Sequence, residues 1–172
     1  MEPKPLRIAL VGSPRTGKDE VGKILVKNHG FSRVAYGDYV KRDLDPLIRE
    51  HFGFSAFTEV DEEKNKIRGV LLHWGTDNKD SITRRLYANL PPRAVNTRAI
   101  RFNEVKEWHD RGGLVVEVFR PGFTGCGPAE EEAEVKAVAD AGLIDHTICN
   151  MGSVIDLEDH VLVTLRSLEA CR

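Results

Sequence analysis

The sequence predicts an α/β domain: a five-stranded parallel sheet flanked by helices, with a helical insertion between its second and third strands. Three observations lead there. Apolar runs of strand length at 6–11, 114–119 and 144–149 alternate with segments of helical periodicity. A glycine-rich turn joins the first run to a helix and opens a βαβ unit. The stretch 52–90 holds no convincing strand and is too long for a bare connection. With 172 residues, 41% hydrophobic and 30% charged, the chain fits one domain with a single sizeable core, drawn from 6–37 and 93–172.

Taken in order, residues 6–11 read as a buried strand ended by a turn at Gly12. Residues 19–28 place Val21, Ile24 and Leu25 on one helical face, and Gly30 follows as a C-cap. Residues 32–36 read as the second strand. Asp38 stands where it can cap the next helix, with Lys41 and Arg42 one turn inside it. Phe52, Phe54 and Phe57 cluster around Gly53. A helix over 61–74 keeps Val60, Ile67, Val70, Leu71 and Trp74 near one face and ends at Gly75-Thr76-Asp77. A short helix over 81–90 carries Arg84 and Arg85, and Pro91-Pro92 breaks the chain. The third strand, 93–97, rests on Ala94 and Val95 alone. Arg101-Phe102-Asn103-Glu104 then opens a helix that Gly112-Gly113 closes. Residues 114–119 form the clearest later strand, and a Gly/Pro-rich loop runs on to Pro128. Glu130, Glu131, Glu132 and Glu134 favour the start of the next helix through its dipole. A last strand over 144–149, a turn at Asn150-Met151-Gly152-Ser153 and an amphipathic helix over 154–168 complete the pattern.

Composition narrows the function. A net charge of −2, with both signs mixed along the chain, gives no electrostatic case for binding nucleic-acid backbones. The apolar runs fall far short of a membrane span, and Met1-Glu2-Pro3-Lys4-Pro5 lacks the apolar core of a signal peptide. Cys126, Cys149 and Cys171 lack metal-ligand spacing and read as free thiols of a reducing cytoplasm. A homodimer stays open.

The chemistry concentrates in Gly12-Ser13-Pro14-Arg15-Thr16-Gly17-Lys18-Asp19. A glycine, four residues, then Gly-Lys between a strand and a helix is the spacing of a phosphate-cradling P-loop. Glycines let backbone N–H groups approach a triphosphate, and the opening of the helix adds unpaired donors and a favourable dipole. Lys18 reaches the β- and γ-phosphates as a point charge. Asp19 stands where Ser or Thr normally ligates magnesium, and a carboxylate is also a good hard-oxygen ligand. A turn that merely joins strand to helix is the bland alternative. The apolar run before the loop and the helix after it favour the phosphate reading.

Four stretches together resemble the phage-type deoxynucleoside monophosphate kinases, within the P-loop nucleotide kinase superfamily. The loop ending Gly17-Lys18-Asp19 looks like that family's Gly-Lys-Asp variant. Leu72-His73-Trp74-Gly75-Thr76-Asp77 is similar to its leucine-x-x-Gly-Thr-acid stretch. Arg101-Phe102-Asn103-Glu104 looks like its Arg-Phe-Pro-Asn-Glu motif without the proline. Residues 145–157, containing Asn150-Met151-Gly152-Ser153, are similar to its closing Asn-x-Gly segment. Gly37-Asp38 followed by Lys41 also looks like the Gly-Asp-x-x-Arg segment of adenylate-type kinases.

What the resemblance implies is an ATP- and Mg2+-dependent phosphoryl transfer to a deoxynucleoside 5′-monophosphate on a P-loop nucleotide-kinase fold. Gly12, Ser13, Arg15, Thr16, Gly17, Lys18, Asp19, Glu20, Asn150 and Gly152 would hold ATP, the last two flanking adenine. Asp19 and Asp38 would hold magnesium. Asp38, Lys41, Arg42, Trp74, Thr76, Arg84, Arg101 and Glu104 would line the acceptor site, with 38–92 as the acceptor-binding insertion. Trp74 would stack on the base, although an aromatic at helical spacing more often packs in a core. Lys18, Arg101 and Arg120 would act in catalysis, Arg120 from a lid-like loop over 120–135. The sequence departs from the family at Ala99, where an Asp is usual, and at Ala129-Glu130-Glu131-Glu132, where a His-x-Ser-Glu stretch is expected. Two alternatives stand beside this reading. One is a P-loop kinase with another acceptor, such as dephospho-coenzyme A or a sugar acid. The other is a nucleotide-binding protein without catalysis.

Overall fold

The computed structural model describes residues 5–99, 101–123 and 127–170; Cys126 and Cys171 lie outside the described residues. The elements follow in the order β1 (Leu6–Val11), α1 (Lys18–His29), β2 (Ser32–Val34), α2 (Tyr36–Phe52), α3 (Asp61–Asp77), α4 (Lys79–Ala88), β3 (Arg93–Asn96), α5 (Phe102–Asp110), β4 (Leu114–Phe119), α6 (Ala129–Asp140), β5 (His146–Cys149) and α7 (Val154–Ala170). All five strands are parallel, in the order β2-β3-β1-β4-β5. No helix among the described residues is long and apolar enough to cross a membrane.

The chain divides into two compact units, one built from the segments up to Val34 and from Pro91 onward, the other from Ala35–Leu90. In the first, parallel strands need cover on both faces, and the residues supply it. Leu6, Ile8 and Leu10 of β1, with Val95, Val116, Val118 and Ile148, share one core with Val21, Ile24 and Leu25 of α1 and Leu157, Val161 and Leu165 of α7. Ala9 and Val11 of β1 and Val115 of β4 alternate with these and are equally buried. They face the opposite side, where α5, with Val105 and Trp108 buried, lies against β4. Removing a core side chain such as Leu10 would cost about 2–5 kcal/mol.

Two strands are shorter than the apolar pattern suggests. β2 stops at Val34 because Ala35 is already the extended N-cap of α2, its carbonyl accepting from the Asp38 N–H at 3.1 Å. β5 starts at His146 because Asp145 breaks the ladder. The Asp145 carboxylate accepts from the Val115 N–H at 2.7 Å, while its own N–H donates to the Val115 carbonyl at 2.8 Å.

The second unit has its own core: Val40, Leu44 and Ile48 of α2 meet Ala56, Ile67 of α3 and Ile82 of α4. Here α3 runs through Gly75-Thr76-Asp77 instead of ending there. Gly75 is a packing glycine, since a Cβ would lie 3.2 Å from a Val40 methyl carbon, and the Tyr36 hydroxyl donates to its carbonyl at 2.6 Å. The buried face of α3 therefore runs Ile67, Leu71, Gly75, while Val60 and Val70 face solvent. Phe54 joins the core with a ring 5.8 Å from that of Phe52, whereas Phe52 and Phe57 are largely exposed.

The turn after α2 is tied by one carboxylate. Asp45 accepts from Arg49 Nε at 2.7 Å, Ser55 Oγ at 2.6 Å and the Ala56 N–H at 2.8 Å. The Arg49 and Ser55 bonds, with the Ala56 amide, favour the ionised form and hold the Asp45 pKa at about 2, below the ordinary 3.8. A depressed folded pKa means the contribution is complete above the ordinary carboxylate range and is lost as pH falls through about 2. Protection of the Ala56 amide, taken relative to its intrinsic exchange rate at each pH, should therefore fall between about pH 4 and pH 2 in the wild type. In Asp45→Asn it should be low already at neutral pH. Equal protection of both proteins at neutral pH would refute the role.

Candidate functional site

The site begins where β1 ends. Gly12 has φ 138° and Gly17 φ 104°, both in the region that side chains avoid. The space is closed as well. A Cβ on Gly12 would lie 2.4 Å from the Val118 carbonyl oxygen, and one on Gly17 would lie 2.5 Å from Asn150 Nδ2. Arg15 is the sole described non-glycine residue at positive φ, 65°, with its side chain exposed. The loop is stitched internally by the Thr16 hydroxyl donating to the Ser13 carbonyl at 2.9 Å. It is held from outside by Asn150 Nδ2 donating to the Thr16 carbonyl at 2.9 Å.

Lys18 opens α1 and folds back over the loop. Its ammonium donates to the Gly12 carbonyl at 2.6 Å and the Ser13 carbonyl at 2.7 Å, and makes no ion pair among the described residues. Burial pushes its pKa below the ordinary lysine value, against the pull of Asp19, Glu131 and Glu132 nearby. A half-buried ammonium bonded to carbonyls alone is suited to an incoming anion.

Around Lys18 a cavity of about 160 Å³ is lined by Gly12, Asp19, Thr97, Arg98, Ala99, Glu131 and Val135. It lies past the carboxyl ends of β1 and β3, the edge where open α/β sheets place ligands. Asp19 is exposed on it. The acidic start of α6 does more than complement a helix dipole. Glu132 accepts from Ser13 Oγ at 2.7 Å and from the Gly127 N–H at 3.2 Å, and Glu134 accepts from the Phe102 N–H at 2.7 Å. These two carboxylates tie α6 to the phosphate loop and to the head of α5. Among the described residues no group of three or more His, Cys, Asp or Glu side chains is placed to hold a metal ion.

The other expected residues distribute as follows. Glu20 pairs with Lys23 on the surface of α1 at 3.1 Å. Gly152 leaves room for Asp156, whose carboxylate accepts from the Ser153 N–H and hydroxyl, both at 2.7 Å, as a cap on α7. Arg101 is the exposed N-cap of α5, Glu104 lies in that helix's first turn, and Arg120 stacks on the Phe123 ring at 4.6 Å. Neither arginine lines the cavity at Lys18.

Asp38, Lys41, Arg42, Trp74, Thr76 and Arg84 all belong to the helical unit. Asp38 is the third residue of α2, not its cap. Lys41 stands 5.4 Å from the centre of the Phe57 ring, and Arg42 5.3 Å from that of Tyr39. The Thr76 hydroxyl donates to Leu72 within its own helix. Trp74 is 38% exposed, with its indole N–H 3.4 Å from Asp43. Asp43 also takes a bidentate pair from Arg85, at 2.8 and 2.6 Å, and Arg84 beside it on α4 is exposed. That arginine fork, ahead of the indole N–H, keeps the Asp43 carboxyl below its ordinary pKa.

No protein-family model matches this sequence, and no curated protein matches it. Among solved structures the chain is similar to a gluconokinase from Sinorhizobium meliloti 1021, with 15% identity over 96% of this chain and 94% of that one, at a TM-score of 0.50. It is similar also to TT1252 from Thermus thermophilus, with 18% identity over 96% and 98% of the two chains, again at 0.50. A dephospho-CoA kinase from Campylobacter jejuni follows at 13% identity, 94% and 96% coverage and 0.49. The fold is that of the P-loop kinases. Within the P-loop kinase fold, the glycine loop after the central strand β1 and Lys18 at the start of α1 take their places at the sheet's carboxyl edge.

Four polar residues of the site went unassigned from sequence: Thr97, Arg98, Glu131 and Glu132. Arg98 had a usable signal, a basic residue directly past the end of a strand. The two glutamates had none, because only the fold brings α6 back onto the loop.

Proposed function

We propose that the chain is an ATP-dependent phosphotransferase whose acceptor is a deoxynucleoside 5′-monophosphate. The observation that carries the first half is Lys18, a half-buried ammonium held on two loop carbonyls without a carboxylate partner, at the start of a helix. That arrangement fits a triphosphate, which would supply the transferred phosphoryl group. An acceptor phosphate oxygen would form the new bond to the γ-phosphorus as the bridge to ADP breaks, with ADP leaving on the electron pair. Such chemistry asks the protein for positioning and charge neutralisation. Lys18 and the loop N–H groups supply both on the donor side. Asp19, exposed on the same cavity, fits a shared hold on Mg2+, an ion that usually takes one or two carboxylates and completes its shell with phosphate and water. The acceptor half rests on the motif resemblance at Leu72–Asp77 and Arg101–Glu104, and on an exposed Trp74 fixed at its edge by Asp43.

A sugar-acid acceptor is the second reading, favoured by the likeness of fold to a gluconokinase. One panel separates the two: purified protein with ATP, Mg2+ and, in turn, the four deoxynucleoside monophosphates and gluconate. Diphosphate formation is the expected result. Gluconate phosphorylation alone would replace the acceptor, and ATP binding without any product would leave a nucleotide-binding protein. In the same assay Asp19→Ala should cut turnover at least about tenfold and raise the Mg2+ concentration needed for half activity. An unchanged Mg2+ response would remove Asp19 from the metal.

A further inference from the structure

The geometry points to Arg98, and not Arg101, as the cation that receives the acceptor's phosphate, an inference that rests on the phosphotransferase reading above. Both arginines follow β3 in sequence, and the motif resemblance favours Arg101. Position separates them. Arg98 lines the cavity that contains Lys18, Gly12 and Asp19, whereas Arg101 caps α5 outside that lining.

Three features aim Arg98 there. Asn96, the buried last residue of β3, turns the chain: its side-chain oxygen accepts from the Arg98 N–H at 3.0 Å, the local bond that makes asparagine a turn former. Thr97 is buried under the turn, with its hydroxyl accepting from Arg33 Nε at 3.4 Å and its methyl in the space that the missing Cβ of Gly22 leaves on α1. The turn is thereby fixed against both the sheet and α1. Arg98 itself is exposed, and its guanidinium makes no hydrogen bond or ion pair among the described residues.

The sheet order assigns the side. The loop follows the central strand β1. Asn150, which grips the loop from one flank, follows β5, two strands away, while Arg98 follows β3, the neighbour of β1 on the other flank. If the turn at Asn150 flanks the donor base, Arg98 stands across the transferred phosphoryl from it. Charge makes the same demand. Lys18, Asp19, Arg98 and Glu131 are the ionisable residues lining the cavity, two of each sign. Without Arg98, one lysine would face two carboxylates and two polyanionic substrates, and like charges brought together repel. Arginine also offers a planar fork that matches phosphate bidentately.

The test is calorimetric titration of the full chain with each deoxynucleoside monophosphate, with a non-hydrolysable ATP analogue and Mg2+ at saturation. Arg98→Ala should weaken monophosphate binding about 10- to 100-fold. It should leave the analogue's affinity within about twofold, and Arg98→Lys should fall between, keeping charge but losing the fork. Arg101→Ala should weaken monophosphate binding less than Arg98→Ala does. Unchanged monophosphate affinity in Arg98→Ala overturns the inference. So does an equal loss of analogue affinity, which would place Arg98 on the donor. A wild type that takes the analogue but no monophosphate overturns it as well. Monophosphate binding that depends on Arg98, without turnover, supports the inference while counting against the phosphotransferase reading.

Discussion

Lys18→Met should lower turnover by at least about 10²- to 10³-fold and leave the protein as stable as the wild type within about 4 °C of melting temperature. The two halves of that result come from one residue. Lys18 stands where the proposed phosphate would lie, and its own charge works against the fold, because burial lowers its pKa from the ordinary 10.5. A lysine with a depressed folded pKa destabilises the native state wherever it remains protonated there. The penalty fades as pH rises through the folded pKa toward 10.5, so wild-type stability should gain on that of the variant across that window. Against this the variant loses two hydrogen bonds to loop carbonyls, at Gly12 and Ser13, each worth about 1 kcal/mol. The Ser13 carbonyl keeps the Thr16 hydroxyl as a donor, so only one carbonyl loses its protein partner. The two effects oppose each other, which is why a small net change in melting temperature is expected. Product formation and thermal melts on the same preparation check both halves. Near wild-type turnover would refute the phosphate role, and a large fall in melting temperature would make Lys18 a structural residue.

The residues legible in advance were those whose role is local. Gly12, Gly17 and Lys18 announce themselves by spacing, and β1, α1, β4 and α7 by apolar pattern, because each answers to neighbours a few positions away. Gly75 shows where that logic fails. In sequence a glycine followed by Thr and Asp reads as a helix end, whereas its actual reason is a Val40 methyl and a Tyr36 hydroxyl pressed against it from α2. Trp74 is similar: helical spacing suggests a core residue, but the narrow buried stripe of Ile67, Leu71 and Gly75 leaves it on the flank, where Asp43 holds its edge. Glu131 and Glu132 illustrate the long-range case. As a run of glutamates after a proline they look like ordinary helix-start residues, and each keeps that dipole advantage. That they also meet Lys18 and Ser13, more than a hundred positions earlier, depends on the packing of α6 and on nothing in their own surroundings. Glu131 thereby sets a carboxylate on the cavity that Ala99 lines from another element.

Gly12→Ala should destabilise the protein by about 3 kcal/mol or more and abolish ATP binding. Two independent costs meet at this position. At φ 138° an alanine is strained whatever surrounds it, and the added Cβ would sit 2.4 Å from the Val118 carbonyl oxygen. That oxygen belongs to β4, whose register with β1 is fixed by the ladder from Ile8↔Leu114 to Val11↔Glu117, so it cannot retreat without opening the centre of the sheet. A loss of about 3 kcal/mol in a chain of this size lowers the melting temperature by about 6–12 °C. The phosphate loop moves first, since it has fewer bonds to lose than the ladder, and displacing Gly12 also removes one of the two carbonyls that hold Lys18. Gly37→Ala is the control. Gly37 lies in the first turn of α2 at ordinary φ, and a Cβ there meets nothing within 4 Å. Alanine should be neutral or stabilising there, by up to about 1 kcal/mol, because it lowers the entropy of the unfolded chain and suits a helix. Thermal melts and ATP titrations of both variants decide the matter. If Gly12→Ala bound ATP with wild-type affinity, the loop's shape would not depend on that glycine, and the phosphate cradle would have to be sought elsewhere along the carboxyl edge of the sheet.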